Sequence, residues 1–363
     1  MTARLHTEVV RELPDVPEER RAAIGAGERT AAAHARWMDE LGLFDRVEAQ
    51  PPPERRAEPR ELRLAAWNLE RGRHLPAAAG LISRAGADVA LLSELDAGMA
   101  RSANHHTTRA LAEALGHGYV YAVEFLELGL GGPEERERHA GERNARGLHG
   151  GAITSAVPIE RPAVIRLDAG GDWFDGSRGE PRVGSRIGVL GTVRAGGVDV
   201  TLASVHLESH TDPRHRAEQT QQLLEAIEAY APGAPAVVAG DLNTLSVPTA
   251  FLSNPARLKK ALEEDAERLL RPVAHEPLFE RAREAGFDWR AANVLDQGTL
   301  RRVQAAGSRR VPVRLDWILT RKLGVSRPEL LEAVDLATGQ VLSDHDLLAA
   351  TVRPPSTLRR ENG

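Results

Sequence analysis

At 363 residues, with 42% apolar and 27% charged side chains and a net charge of -5, the chain has the composition of a globular enzyme and can bury one large core or two smaller ones. It contains no cysteine, which excludes disulfides, thiolate nucleophiles and cysteine-ligated zinc; any metal must sit on Asp, Glu, Asn or His, a donor set that favours hard ions such as Mg2+ or Mn2+. The negative balance gives no global attraction to nucleic acid, although 47 Lys and Arg residues leave room for a local basic groove.

The N-terminal part differs from the rest. Met1 to Arg21 is charged throughout and lacks the apolar run of a signal peptide, and no stretch is apolar enough to span a membrane, so a cytoplasmic protein without membrane insertion is expected. Glu18 to Leu43, rich in Ala, Glu and Arg, predicts helix with a break around Gly25-Ala26-Gly27. Ala32, Trp37, Leu41 and Phe44 form its packing face. Pro51-Pro52-Pro53 followed by Glu54-Arg55-Arg56 reads as a stiff, solvated linker. Residues 1–60 are thus expected to form a helical extension and linker that either covers part of the core or serves as a dimerisation or regulatory element. The sequence leaves the oligomeric state open.

From Glu61 the pattern changes to short apolar runs alternating with helical stretches. Strands are predicted at Leu62–Trp67, Asp88–Ser93, Tyr119–Val123, Gly151–Ser155, Ala163–Leu167, Ile187–Val193, Val198–His206, Ala236–Ala239, Arg314–Leu319 and Leu347–Val352. Helices are predicted at Leu75–Arg84, Thr107–Leu115, Pro213–Tyr230 and Pro255–Leu270. Interleaved strands and helices make this an α/β domain, residues 61–353, with a polar C-terminal tail, 354–363. Ala195-Gly196-Gly197 predicts a hairpin and hence mixed sheets. The Gly- and charge-rich segments Glu124–Gly150 and Asp168–Gly184 are candidate loops at a substrate-facing rim.

Polar residues recur at the ends of the apolar strands: Asn68 and Glu70 after Trp67, Glu94 after Ser93, His206 after Val205, Asp241 and Asn243 after Gly240, Asp344 and His345 before Leu347. Asp316 lies inside the apolar run Val313–Leu319, where a carboxylate is costly unless paired. Each alone reads as a turn or helix cap; together they supply the carboxylates, amides and imidazoles that metal-assisted hydrolysis needs.

Six motifs in order, Trp67-Asn68-Leu69-Glu70, Ser93-Glu94, Val205-His206-Leu207, Gly240-Asp241-Leu242-Asn243, Leu315-Asp316-Trp317-Ile318 and Ser343-Asp344-His345, resemble the endonuclease/exonuclease/phosphatase superfamily over about Glu61 to Val352. The resemblance implies a four-layer α/β/β/α sandwich of two mixed β-sheets flanked by helices. It also implies Mg2+- or Mn2+-dependent hydrolysis of a phosphoester by in-line attack of water. Glu94 would be the principal metal ligand, supported by Asn68 and Glu70, with Asp344 beside the ion or on a second one. Asp241 would orient or deprotonate the water and Asn243 would donate to it or to a phosphoryl oxygen. His345 would contact the phosphate, His206 would stabilise developing charge, and Asp316 would fix the tautomer of His345 or His206. His210 and Arg214 are candidate substrate contacts. Where family members carry Gly-Asn-Ala, this chain has Gly150-Gly151-Ala152, which leaves one contact unassigned.

A phosphodiesterase or nuclease heads the functional readings. A phosphatase or phosphodiesterase acting on a small molecule or a phospholipid head group, and an inactive binding protein on the same fold, are the alternatives. Trp173-Phe174 and Phe287-Asp288-Trp289 are the aromatic clusters available for nucleic acid, and Phe125 to Leu130 is a weak candidate for a lipid-facing loop.

Overall fold

The computed structural model describes residues 4–54, 56–167, 172–251, 254–265, 267–300 and 312–355. The chain opens with β1 (Leu5–His6), β2 (Glu8–Val10), α1 (Glu18–Ala26), α2 (Ala31–Glu40) and β3 (Arg46–Gln50). The helical stretch breaks where the glycines predicted it, and Thr30 restarts it by accepting the Ala33 N–H at 3.1 Å. Next come β4 (Leu62–Arg71), α3 (Leu75–Arg84), β5 (Val89–Ala97), α4 (Thr107–Leu115), β6 (Gly118–Glu127), α5 (Pro133–Arg138) and β7 (Leu148–Ser155). They are followed by β8 (Glu160–Arg166), β9 (Arg182–Gly184), β10 (Ile187–Ala195), β11 (Val198–His206), α6 (Pro213–Tyr230) and β12 (Ala236–Asp241). The chain ends with α7 (Pro255–Glu264), α8 (Leu278–Glu284), β13 (Asp316–Arg321), β14 (Gly324–Leu331) and β15 (Leu347–Arg353).

Two mixed sheets result. One has the order β1-β8-β10-β11-β12-β13, the other β14-β15-β4-β5-β7-β6-β3-β2, with β9 pairing to β6. The predicted hairpin joins β10 to β11, whereas β11/β12 and β4/β5 run parallel. The strands are apolar on both faces because both faces are covered. Leu64, Ala66, Leu91, Ile153, Val189, Leu202, Val237 and Ile318 meet between the sheets. Alternate residues such as Ala65, Trp67, Ala90 and Leu92 face the layer containing α3 and α4, and Ala203, Val205 and Val238 face α6 and α8. This is the predicted four-layer sandwich. Among the described residues, no helix is long and apolar enough to cross a membrane.

Several local expectations change. The N-terminal segment carries strands as well as helices: β1 pairs with β8 and β3 with β6, so it adds to an edge of each sheet. These strands are two, three and five residues long, too short to show a period in sequence. The expected loop at Glu124–Gly150 is partly ordered: β6 runs through Glu127, α5 lies within the segment, and β7 begins at Leu148. Phe125 and Leu126 are wholly buried, which removes them from any lipid-facing surface. Trp173, Phe174, Phe287 and Trp289 are buried too, so neither aromatic cluster offers a stacking platform. The helix at Pro255 stops at Glu264 rather than Leu270. Part of the second expected loop, 168–171, and most of the C-terminal tail, 356–363, lie outside the described residues.

Gly240 shows why the turn before Asp241 has its sequence. Its φ is +142°, and a Cβ there would sit 2.1 Å from the Val205 carbonyl oxygen on the neighbouring strand. Neither side of that clash can yield without separating β11 from β12. Gly240→Ala is therefore expected to lower unfolding free energy by about 3–5 kcal/mol. Urea titration followed by circular dichroism measures this, and a loss below about 1 kcal/mol would contradict the close-approach argument.

Candidate active site

The first sheet brings three site residues together by register alone. His206 pairs with Asp241 across β11/β12, and Asp241 with Asp316 across β12/β13, which sets the three side by side. The second sheet uses bulges. Pairing shifts between Asn68 and Arg71 on β4 and between Leu92 and Leu95 on β5, so Asn68 and Glu94 lie within strands rather than at their ends. Glu70, Arg71, Glu94 and Asn243 all adopt positive φ, at 44°, 78°, 56° and 49°. Such non-glycine conformations cost of order 1–3 kcal/mol each and persist where the surroundings enforce them. Ser343 ties the last motif to β4: its Oγ donates to the Asn68 carbonyl at 2.7 Å and accepts the His345 N–H at 3.1 Å. Trp67 Nε1 donates to the His345 carbonyl at 2.8 Å.

Asp241 is the hub. Its Oδ2 accepts from Asn68 Nδ2 at 3.1 Å and lies 3.7 Å from His206 Nε2 and 3.8 Å from His345 Nε2. Its Oδ1 accepts the Asn243 N–H at 2.9 Å. Asn243 spends one amide N–H on the Leu207 carbonyl at 2.9 Å. Asp316 bonds His345 Nδ1 at 2.7 Å, so of the two histidines it is His345 that Asp316 orients. Burial alone would favour a neutral His345, but Asp316 and Asp241 outweigh it and hold the imidazole pKa well above its usual range. Asp241, Asp316 and His345 each bring one donor atom within 4.8 Å of the others, a spacing that suits either an ion or a shared proton.

His206 has a carboxylate of its own, Glu124, whose Oε2 lies 3.4 Å from Nδ1. Arg186 donates to Glu124 at 2.6 Å and approaches His206 Nδ1 at 3.0 Å. Burial opposes the Glu124 charge, but His206 and Arg186 pull its pKa down to about 2. Strand prediction stopped at Val123, one residue before Glu124. The signal was present, because a glutamate within the apolar run Tyr119–Leu126 poses the same question as Asp316 in its own strand.

A second group of acids lies beside this hub. Glu70, Glu94 and Asp344 line a cleft of about 870 Å³ together with Arg71, Arg73, His74, Arg138 and His139. Asn68 Nδ2 donates to Glu94 Oε1 at 3.1 Å and Glu70 Oε2 accepts the Asp344 N–H at 3.0 Å. Burial, with Glu70 and Glu94 adding to it against the pull of His345, pushes Asp344 up to about 6. Asp344 is raised whereas, against burial, Arg71 holds Glu94 well below the usual range, and the three carboxylates on one cleft are hard oxygen donors of the kind a divalent cation takes. Asn68 bridges the two groups through one amide nitrogen.

The two candidate substrate contacts separate. His210 packs edge-on against Trp173 at 4.9 Å, and its N–H donates to Glu208, which in turn bonds Arg186. Arg214 is exposed on the first turn of α6, where its N–H donates to the Asp212 cap. Arg216 and Gln219 on that helix serve packing: Arg216 forms a buried pair with Glu276 at 2.6 Å, and Gln219 accepts the Glu208 N–H at 2.9 Å.

The comparisons with known proteins agree with the fold. Residues 65–345 match the model of the endonuclease/exonuclease/phosphatase family. The fold is similar to that of an endonuclease/exonuclease/phosphatase from Beutenbergia cavernae, with a TM-score of 0.54 and 20% identity over 81% of this chain and 72% of that one. It is similar to a functionally unknown conserved protein from Enterococcus faecalis, with a TM-score of 0.53 and 15% identity over 81% of this chain and all of that one. It is also similar to the catalytic domain of human Nocturnin bearing a sulfate anion, with a TM-score of 0.51 and 17% identity over 84% of this chain and 99% of that one. At these identities the likeness is one of fold. No curated protein matches the sequence.

Proposed function

The chain belongs to the endonuclease/exonuclease/phosphatase family, whose members are hydrolases acting on phosphoesters, and from that premise we propose that it cleaves a phosphodiester by in-line attack of water, with Mg2+ or Mn2+ held by Glu94, Glu70 and Asp344. The observation that carries this reading is the placement of Asp241 between two imidazoles and the amide that reaches Glu94. Bound at the acidic cluster, the cation would neutralise phosphate charge and lower the pKa of a coordinated water. Asp241 takes the water proton. His345, already protonated, donates to a phosphoryl oxygen from Nε2 while Asp316 holds Nδ1. His206 places a second donor beside the same carboxylate, kept in orientation by Glu124. Asn68 keeps the acidic cluster and the base in register.

Arg138, His74 and His139 line the cleft beside Glu134 and Glu135, and with a cation on the acidic cluster this wall would receive an anionic substrate, of which a nucleic-acid strand is the first reading. A small soluble phosphodiester is the second reading, favoured by the burial of both aromatic clusters. Purified protein with Mg2+ or Mn2+ is expected to cleave bis(p-nitrophenyl) phosphate and single-stranded oligonucleotides, and to lose both activities in a chelator. Inactivity on both with either metal would reject the proposal, and turnover of phosphomonoesters alone would reject a diesterase. A steep fall in oligonucleotide cleavage with salt supports the strand; a flat response supports the small substrate.

A further inference from the structure

Arg71 is a charged group at the site that no motif in the sequence marks out. It ends the β4 bulge with a φ of 78° and lines the same cleft as Glu70, Glu94 and Asp344. Its guanidinium faces two ways. On one side Nη1 donates to Glu94 Oε2 at 2.5 Å. On the other, Nε lies 3.4 Å from Glu135 Oε1 and Nη2 4.0 Å from Glu180 Oε2. The remaining oxygens of those two carboxylates are held by Arg101, whose Nη1 donates to Glu135 Oε2 at 2.9 Å and to Glu180 Oε1 at 2.8 Å. Arg101 is itself fixed by a two-pronged pair with Asp96 at 2.8 and 2.9 Å. A buried cation that cannot move thus presents one oxygen of Glu135 and one of Glu180 to Arg71. The Arg71 side chain, 19% exposed at the cleft wall, already touches carboxylates on both sides.

We propose that Arg71 is an internal cation that competes with the metal for Glu94 and withdraws to Glu135 and Glu180 when the metal binds, so that its balance between the two sides sets the metal affinity. The inference rests on the metal reading given above. A guanidinium on one oxygen of Glu94 repels a divalent ion brought to the same carboxylate across a few ångströms of partly desolvated space, so the ion gains affinity when Arg71 moves away. The withdrawal needs no new desolvated partner, since the receiving oxygens already face Arg71. Glu135 belongs to α5, which also lines the cleft, so the exchange ties metal binding to that wall.

Two substitutions therefore act in opposite directions. Arg71→Gln removes the competitor and is expected to tighten Mn2+ binding tenfold or more. Glu135→Gln weakens the retreat, commits Arg71 to Glu94, and is expected to loosen Mn2+ binding several-fold. A purely structural role would loosen both or change neither. The measurement is isothermal titration calorimetry of the full chain with Mn2+ at pH 7, with metal-free melting curves to show that each variant is folded. Arg71→Lys, which keeps the charge but not the fork, replaces Arg71→Gln if that variant does not fold, and is expected to tighten binding to a smaller extent. Unchanged or weaker Mn2+ binding by the Arg71 variant, beside a wild type that binds, overturns the proposal. A wild type that binds no Mn2+ brings down the metal reading itself, and this inference with it.

Discussion

Asp241→Asn is expected to lower kcat about 10²–10⁴-fold, the range over which a positioned general base contributes. The substitution keeps size and shape, and Asn68, His206, His345 and the Asn243 N–H all remain around the new amide. Two things are lost. The carboxylate that takes the proton is gone, and the amide nitrogen that replaces one oxygen meets only donors. His345 loses one of the two charges that keep it protonated, so its gift of a hydrogen bond to the phosphate weakens as well. The fall should appear in kcat at saturating metal and substrate, because the lost interaction matters most in the transition state. A kcat within tenfold of wild type, from a variant that melts like wild type, would remove Asp241 from the role of base. His345 would not then replace it, since it already holds its proton.

Glu94→Gln is expected to weaken metal binding about 100-fold or more, since loss of a group that only orients a ligand already costs 10–100-fold. The amide retains an oxygen for Asn68 but not the charge, and Glu94 is the carboxylate whose pKa is held well below the usual range, against its burial, chiefly by Arg71. The variant should recover part of its activity at high metal concentration, which separates a binding defect from a chemical one. The wild type adds a pH signature. Asp344, raised to about 6, holds a proton in the acid range and must release it before it can serve a cation. Mn2+ affinity should therefore rise from pH 5 to pH 7 and level off above. Calorimetry at three pH values tests this, and an affinity that is flat from pH 5 to pH 7 would exclude Asp344 from the metal cluster.

The relation between the two groups of residues bears on how the sandwich functions. The first sheet supplies His206, Asp241 and Asp316 from adjacent strands in register, and so holds them with little freedom. The second supplies Asn68, Glu70, Arg71 and Glu94 from bulged strands, where the backbone departs from regular pairing. On the proposed roles, the proton-handling half is built on regular sheet and the cation-handling half on strained sheet, with Asn68 and the Ser343 hydroxyl as fasteners between them.

Much of the molecule was legible in sequence because burial on both faces leaves an apolar run, and such runs need no partner to be recognised. Ten strands between Leu62 and Val352, the hairpin at Gly196, the helix capped by Asp212 and the polar residues interrupting the runs follow from local pattern, whereas the short β9 and the exposed β14 do not. Six motifs also stood in one order, and their resemblance to a known family implied the fold. Local pattern could not decide pairing. Whether Asp316 serves His345 or His206 depends on how the two sheets and the segment before β15 pack in space, and that packing brought His345 to Asp316 and Glu124 to His206. Nor could it show that the strands at Asn68 and Glu94 continue through bulges, since a bulge arises from the partner strand. The ion pairs of Arg71 with Glu94, Arg101 with Glu180 and Arg186 with Glu124 join residues 23, 79 and 62 positions apart, distances at which sequence carries no physical coupling and only the packed sheets bring charges together. Composition and periodicity determined the α/β class and the kinds of chemistry available; the tertiary structure alone decided which carboxylate answers to which cation, because those energies depend on separation and burial in space.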